Sequence, residues 1–140
     1  MKTIRKIACL CLTCMILLGL TACGGASGAD SSAGEAAYTA TVKIVSTDDT
    51  LLDSQVSLSE TESTCKDALV KACQAKKLAY VDNNGLFDGF GGIASTQEDG
   101  WLFYFNGVLA DKGLGDTPLV AGGDNTIEMR YVNYNEAFGS

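Results

Sequence analysis

Cys23 ends the run Leu20-Thr21-Ala22-Cys23 and has the plainest chemistry of any residue in the chain. Small side chains precede it, so a peptidase that needs narrow residues near its cut could cleave before the cysteine, whose thiol would then carry lipid. The other thiols offer less. Cys9, Cys11 and Cys14 sit in the same apolar stretch. Cys65 and Cys73 belong to a segment of helical spacing, where they would stand about 12 Å apart, past the reach of a disulfide. Two small buried apolar side chains explain them; a disulfide that begins ahead of the helix, or a metal or redox site without a CxxC, are the alternatives. The sequence contains no histidine. That removes the usual general base and the commonest zinc ligand. Serine or cysteine nucleophiles therefore lack their partner, and no carboxylate pair stands out as an acid–base couple. The expectation is a protein that is not an enzyme and uses neither a metal nor a certain cofactor. Asp88, Glu98, Asp99, Asp111, Asp116 and Asp124 fall on expected loops. Their oxygens would suit calcium, but none follows an EF-hand spacing, and solvated acidic loops account for them. The run Trp101-Leu102-Phe103-Tyr104-Phe105 could bind rather than react, with Phe87 and Phe90 nearby in sequence.

The segment that positions Cys23 is short. Lys2, Arg5 and Lys6 form a basic start, and Ile7 to Leu20 is apolar. At about 14 residues this stretch falls short of the ~20 that a membrane-spanning helix needs. The layout is that of a bacterial lipoprotein signal over 1–22, which would place the mature protein on the extracytoplasmic face of the cell membrane, held there by lipid on Cys23; an ordinary signal peptide cut elsewhere, or an uncleaved anchor, is the alternative. Residues 24–37 read GGASGADSSAGEAA, so 23–37 is a flexible Gly/Ser/Ala linker with an end-to-end distance of about 20 Å. The remaining span, 38–140, is enough for one small core. Loss of the three basic residues moves the net charge from −7 to about −10. Such a surface repels nucleic acid, which is not an expected partner.

Within 38–140 the elements follow from pattern. Tyr38 to Val45 alternates, with Val42 and Ile44 on one face and Thr41 and Lys43 on the other. Thr47-Asp48-Asp49-Thr50 marks a turn, and Gln55 to Ser59 alternates again, which predicts a hairpin. Thr64 fits a helix N-cap with Asp67 at the third helical position. Cys65, Ala68, Leu69, Ala72 and Cys73 then make a narrow apolar stripe. Leu78 to Asp82 reads as a third strand, and 86–93 as a hairpin or a loop. Trp101 to Phe105 is a strand apolar on both faces, ended by Asn106-Gly107 with the two left-handed positions of a type I′ turn. The 110–123 stretch is loop-like. Thr126 to Val132 closes the fold with Ile127, Met129 and Tyr131 facing in. An N-terminal hairpin, one helix and further strands predict an α+β, β-grasp-like single domain, its helix packed on a mixed sheet.

Three segments carry a resemblance: Phe87-Asp88-Gly89-Phe90-Gly91-Gly92-Ile93, Gly100-Trp101-Leu102-Phe103-Tyr104-Phe105-Asn106-Gly107, and Gly122-Gly123-Asp124-Asn125-Thr126-Ile127. Together they resemble the transcobalamin-like C-terminal domain family, which includes a bacterial domain of unknown function found on surface lipoproteins. The resemblance covers most of residues 40–132 and is most specific from Trp101 to Gly107. It implies a β-grasp-like fold and the binding of cobalamin or another corrinoid. In the animal cobalamin carriers this domain covers the upper face of the corrin ring and pairs with a larger helical domain. The 38–140 domain alone would bind one ring face or lend its surface to a partner protein.

Two readings of the aromatic strand follow. If Leu102 and Tyr104 face the helix, then Trp101, Phe103 and Phe105 form an apolar platform on the opposite face, with Phe87 and Phe90 at its rim. A flat macrocycle could stack on it. In the other reading the same residues are core. The functional expectation is a membrane-anchored binding module for a small flat ligand, a corrinoid first. The alternative is a protein-interaction, structural or adhesion module that docks on a transporter or another surface protein.

Overall fold

The computed structural model describes residues 36–139; the expected signal, Cys23 and nearly all of the linker lie outside the described residues. The chain forms β1 (Tyr38–Val45), β2 (Thr50–Leu58), α1 (Cys65–Lys76), β3 (Tyr80–Asn83), β4 (Leu86–Phe90), β5 (Ile93–Ala94), β6 (Asp99–Phe105), β7 (Val108–Leu109), β8 (Thr126–Asn133) and a short α2 (Tyr134–Phe138). It is a mixed α+β fold, mostly sheet, with a five-stranded sheet ordered β2-β1-β8-β6-β7 and a three-stranded sheet ordered β3-β4-β5. Among the described residues no helix is long and apolar enough to cross a membrane.

The expected first hairpin is present, with Ala40 opposite Val56 and Ile44 opposite Leu52. The chain's last strand, β8, lies parallel to β1, and every other pairing in the large sheet is antiparallel. One face of β1 and β8 carries Val42, Ile44, Ile127 and Met129, all buried. Helix α1 lays its stripe of Cys65, Ala68, Leu69, Ala72 and Cys73 into the same core. Four of those five side chains are alanine or cysteine, small enough to let the helix lie close on β1 and β2. Burying each large aliphatic side chain here contributes about 1.5–3 kcal/mol.

The start of α1 is fixed by a reciprocal cap. Asp67 N–H donates to Thr64 Oγ1 at 3.3 Å, and Thr64 N–H donates to Asp67 Oδ2 at 3.0 Å. The backbone just beside the cap then holds the long 110–123 segment: Cys65 N–H donates to the Thr117 carbonyl at 2.9 Å, and Leu119 N–H to that of Ser63 at 2.8 Å. A 3₁₀ turn at Leu114–Asp116 buries Leu114 within that segment. The stretch 86–93 resolves as a hairpin, β4 turning into β5 through Gly91-Gly92. Asn84-Gly85 and Asn106-Gly107 both take positive φ at each position, 54° and 94°, 50° and 82°, as type I′ turns require. Asn106 does more than turn. Its side chain donates to the Asp124 carbonyl and accepts from Thr126 N–H, both at 2.8 Å, and so ties the β6–β7 turn to the start of β8.

The facing of β6 decides between the two sequence readings, in favour of core over an outward platform. Trp101 lies opposite Tyr131, Phe103 opposite Met129 and Phe105 opposite Ile127. Directly paired residues share a face, so Trp101, Phe103 and Phe105 point to the core side, with α1, and not away from it. Leu102 and Tyr104 are on the outer face, where the Arg130 guanidinium lies 4.2 Å from the Tyr104 ring centroid. The cause is that β6 is apolar on both faces, so its own alternation does not choose between them; the alternation of β8, with Glu128 and Arg130 outward, does.

Replacing Thr64 by Ala should cost about 1 kcal/mol and lower Tm by about 5 °C in thermal unfolding. Asn125, only 4% exposed, accepts from Val120 N–H at 2.8 Å and donates to the Val120 and Thr39 carbonyls at 2.9 and 3.1 Å. Asn125→Ala leaves these groups unpaired and should cost about 2–3 kcal/mol, more than the lost helix cap.

Candidate functional site

The aromatic residues form one connected series. Phe87 and Phe90 stack with ring centroids 5.9 Å apart and planes within 5°. Phe90 meets Trp101 edge-on at 4.9 Å and 78°, and Trp101 meets Tyr131 at 5.1 Å and 60°. Each such pair adds about 0.5–1.5 kcal/mol beyond burial. The polar ends of the two larger rings both reach β5: Trp101 Nε1–H donates to the Ile93 carbonyl at 3.0 Å, and Tyr131 O–H to that of Ala94 at 3.1 Å. The series therefore fastens the three-stranded sheet to the large one and holds the Trp101 ring in a single orientation.

Where the helix leaves the sheet uncovered, a groove of about 200 Å³ opens between β4, β6 and the 109–114 segment. Phe87, Trp101, Phe103, Leu114 and Met129 form its walls. Leu86 and Leu109 stand at its mouth, 64% and 41% exposed. A second groove of about 300 Å³, lined by Phe105, Val108 and Pro118, shares Leu109, Ala110 and Lys112 with the first. The second stands at the lower end of the range usual for ligand sites, about 300–1,000 Å³, and the first lies below it.

The five aromatic residues singled out from sequence are thus placed unequally. Phe87, Trp101 and Phe103 come together on the first groove, and Phe105 lines the second. Phe90 is fully buried behind Phe87 and Trp101 and lines neither. No exposed platform exists on this strand: Trp101 and Phe87 present only an edge, at 7% and 3% exposure, and are otherwise core. The sequence reading missed Leu86, Leu109, Lys112 and Leu114. For two of them a signal was present: Leu86 directly follows one Asn-Gly turn, and Val108-Leu109 the other, where a short strand leaves large apolar side chains uncovered.

An ion pair sits beside Phe87, behind the first groove. Lys66 Nζ lies 2.7 Å from Asp82 Oδ2 and 5.8 Å from the Phe87 ring centroid. The Lys66 hydrogen bond, with help from the Gly85 N–H, holds the Asp82 carboxyl below its usual range. This pins α1 to the β3–β4 turn beside the groove. Among the described residues no group of three or more acidic, histidine or cysteine side chains is arranged to hold a metal ion.

The two helix thiols are free and buried. Burial pushes Cys65 from 9.0 up to about 12 and Cys73 up to about 11. The thiolate is the reactive form, so neither serves as a nucleophile at neutral pH.

No protein-family model matches the chain, and no curated protein matches it. Among solved structures, the chain is similar to haptocorrin in a complex with Cbi (cobinamide), with a TM-score of 0.54 and 14% identity. The likeness covers 72% of this chain and 27% of haptocorrin, so the chain corresponds to about a quarter of that protein's length. A protein provisionally described as metal binding, from Ruminococcus gnavus ATCC 29149, is also similar, with a TM-score of 0.47 and 9% identity over 69% of this chain and 97% of that one. At these identities the likeness is one of fold.

A thiol reagent at pH 8 should leave the Cys65 and Cys73 peptides unlabelled in the folded protein and label both once it is unfolded in guanidinium, as read by mass spectrometry. The unfolded chain releases these thiol protons near pH 9, whereas the folded one holds them to about 11–12. Stability should therefore decline as pH rises above about 9.

Proposed function

We propose that this protein is a lipoprotein held at the extracytoplasmic face of the cell membrane through Cys23, and that its 38–140 domain is a β-grasp-like binding module of the transcobalamin-like kind. Its ligand is small, with a flat apolar face, and a corrinoid is the first candidate. The observation that carries this reading is the groove walled by Phe87, Trp101 and Phe103. It is concave and apolar, with Trp101 held by its hydrogen bond to Ile93 and its edge contacts and Phe87 held by stacking on Phe90, so little ordering cost falls on binding. The fold likeness to part of haptocorrin, solved with Cbi, is what makes a corrinoid the first ligand to try. The strand order β2-β1-β8-β6-β7, with a parallel pair at the centre and one helix across it, supports the β-grasp assignment.

The anchor reading is supported by the basic start, the short apolar stretch and the Leu20-Thr21-Ala22-Cys23 run. The protein binds rather than catalyses: the chain has no histidine, and its two helix thiols are held protonated by burial. A second reading, docking on a transporter or another surface protein, is favoured by a separate observation. Val108 and Leu86 are 69% and 64% exposed, and β7 is a two-residue strand at the open edge of the large sheet.

Trp101 is the only tryptophan and lies on the groove, so its fluorescence reports occupancy. Titration with cobalamin and cobinamide should give saturable quenching that Phe103→Ala weakens about tenfold, the loss of one buried aromatic contact. No saturable quenching at millimolar ligand would end the corrinoid version. For the anchor, mass spectrometry should find a mature N-terminal peptide that begins at a lipid-modified Cys23, and Cys23→Ser should abolish that species.

A further inference from the structure

We infer that the ligand of the groove carries an anionic group beside its apolar body, and that Lys112 recognises that group. This rests on the groove being a ligand site, as proposed above, and adds the chemical class of the ligand. Lys112 is the only charged residue that lines the first groove, and it lines the second as well. It is exposed and stands where the two cavities meet. Most other cations near the sheet and helix are engaged: Lys43 with Asp53, Lys66 with Asp82, Lys71 with Glu62 and Arg130 with Glu128. Lys112 makes no ion pair among the described residues. Carboxylates lie close by as well, Asp116 Oδ2 beside Gly113 at the edge of the first groove, but Lys112 alone among charged residues lines both grooves. Asp111 lines the second groove only, and Asp82 and Asp116 line neither.

The chemistry is simple. A lysine stem lies readily along apolar surface while its ammonium stays in water. It offers three donors on a compact charge. A ligand whose apolar part enters between Phe87 and Phe103 can therefore leave a carboxylate, sulfonate or phosphate at the mouth, beside Lys112, without dehydrating it. The overall acidity of the chain does not cancel this, because exposed charges more than about 8 Å away are largely screened at physiological salt.

A matched pair of probes tests the inference on the purified full chain: 8-anilinonaphthalene-1-sulfonate and neutral N-phenyl-1-naphthylamine, which share one aromatic body. Energy transfer from Trp101 reads binding at the groove. The anion should bind about fivefold more tightly than the neutral probe, the scale of an exposed charge contact of about 1 kcal/mol. Lys112→Gln should abolish that preference, bringing the affinity ratio of the two probes to about one, Lys112→Arg should keep it, and added salt should shrink it in the native chain. Tm should be unchanged in both variants, since Lys112 is exposed. If both probes bind equally to the native chain, or if the preference survives Lys112→Gln, the inference fails and the groove reading stands. If neither probe binds at Trp101, the groove reading fails and takes the inference with it.

Discussion

The fold depends on the parallel pairing of β1 with β8. These strands come from opposite ends of the described chain and meet at the centre of the large sheet, with Val42 beside Ile127 and Ile44 beside Met129. All four side chains are at most 2% exposed. A parallel pair has no tight turn to set its register, and a slip of one residue would carry Glu128 and Arg130 into the core. Two features hold the register. One is the burial of the four apolar residues. The other is Asn125, whose carbonyl accepts from Thr41 N–H at 2.8 Å while its side chain donates to the Thr39 carbonyl at 3.1 Å. The chain is thus locked to β1 one residue before β8 begins. Since β6 pairs with β8, this lock also decides which way the Trp101 ring points.

Local signals were legible wherever one residue type suits a single backbone or hydrogen-bond role. Thr64 and Asp67 announced the helix start, Asn106-Gly107 the turn, and the alternation of β1 and β8 the buried faces. What sequence could not settle was set by long-range pairing. Trp101 to Phe105 offers an aromatic or aliphatic side chain at every position, so both facings bury a comparable apolar area. Only the partner strand distinguishes them. The lock itself was hidden for a related reason. Asn125 follows Gly122-Gly123-Asp124 and reads as one more polar loop residue, yet it is itself buried and its amide pairs with both backbone groups of Val120. The 86–93 segment stayed open between loop and hairpin because its Gly91-Gly92 turn and a two-residue β5 give too short a pattern to read. That small strand matters out of proportion to its length, since its carbonyls receive both the Trp101 and the Tyr131 hydrogen bonds.

Core and site are therefore built from the same rings. One side of Trp101 packs on Phe90 and Tyr131, and its remaining edge lines the groove; Phe87 is shared in the same way. Residues used twice cannot vary freely, because truncating a buried aromatic costs about 3–5 kcal/mol, a large part of the net stability of a small domain. The mouth of the groove is free of that constraint. Leu86, Leu109 and Lys112 are exposed, and their side chains are not among those buried in the core. For the proposed ligand site, this division would assign shape to the walls and selectivity to the mouth. On the proposed reading, the walls would require the ligand to offer an apolar surface, and the mouth would decide which apolar surface, through side chains that can change without unfolding the domain.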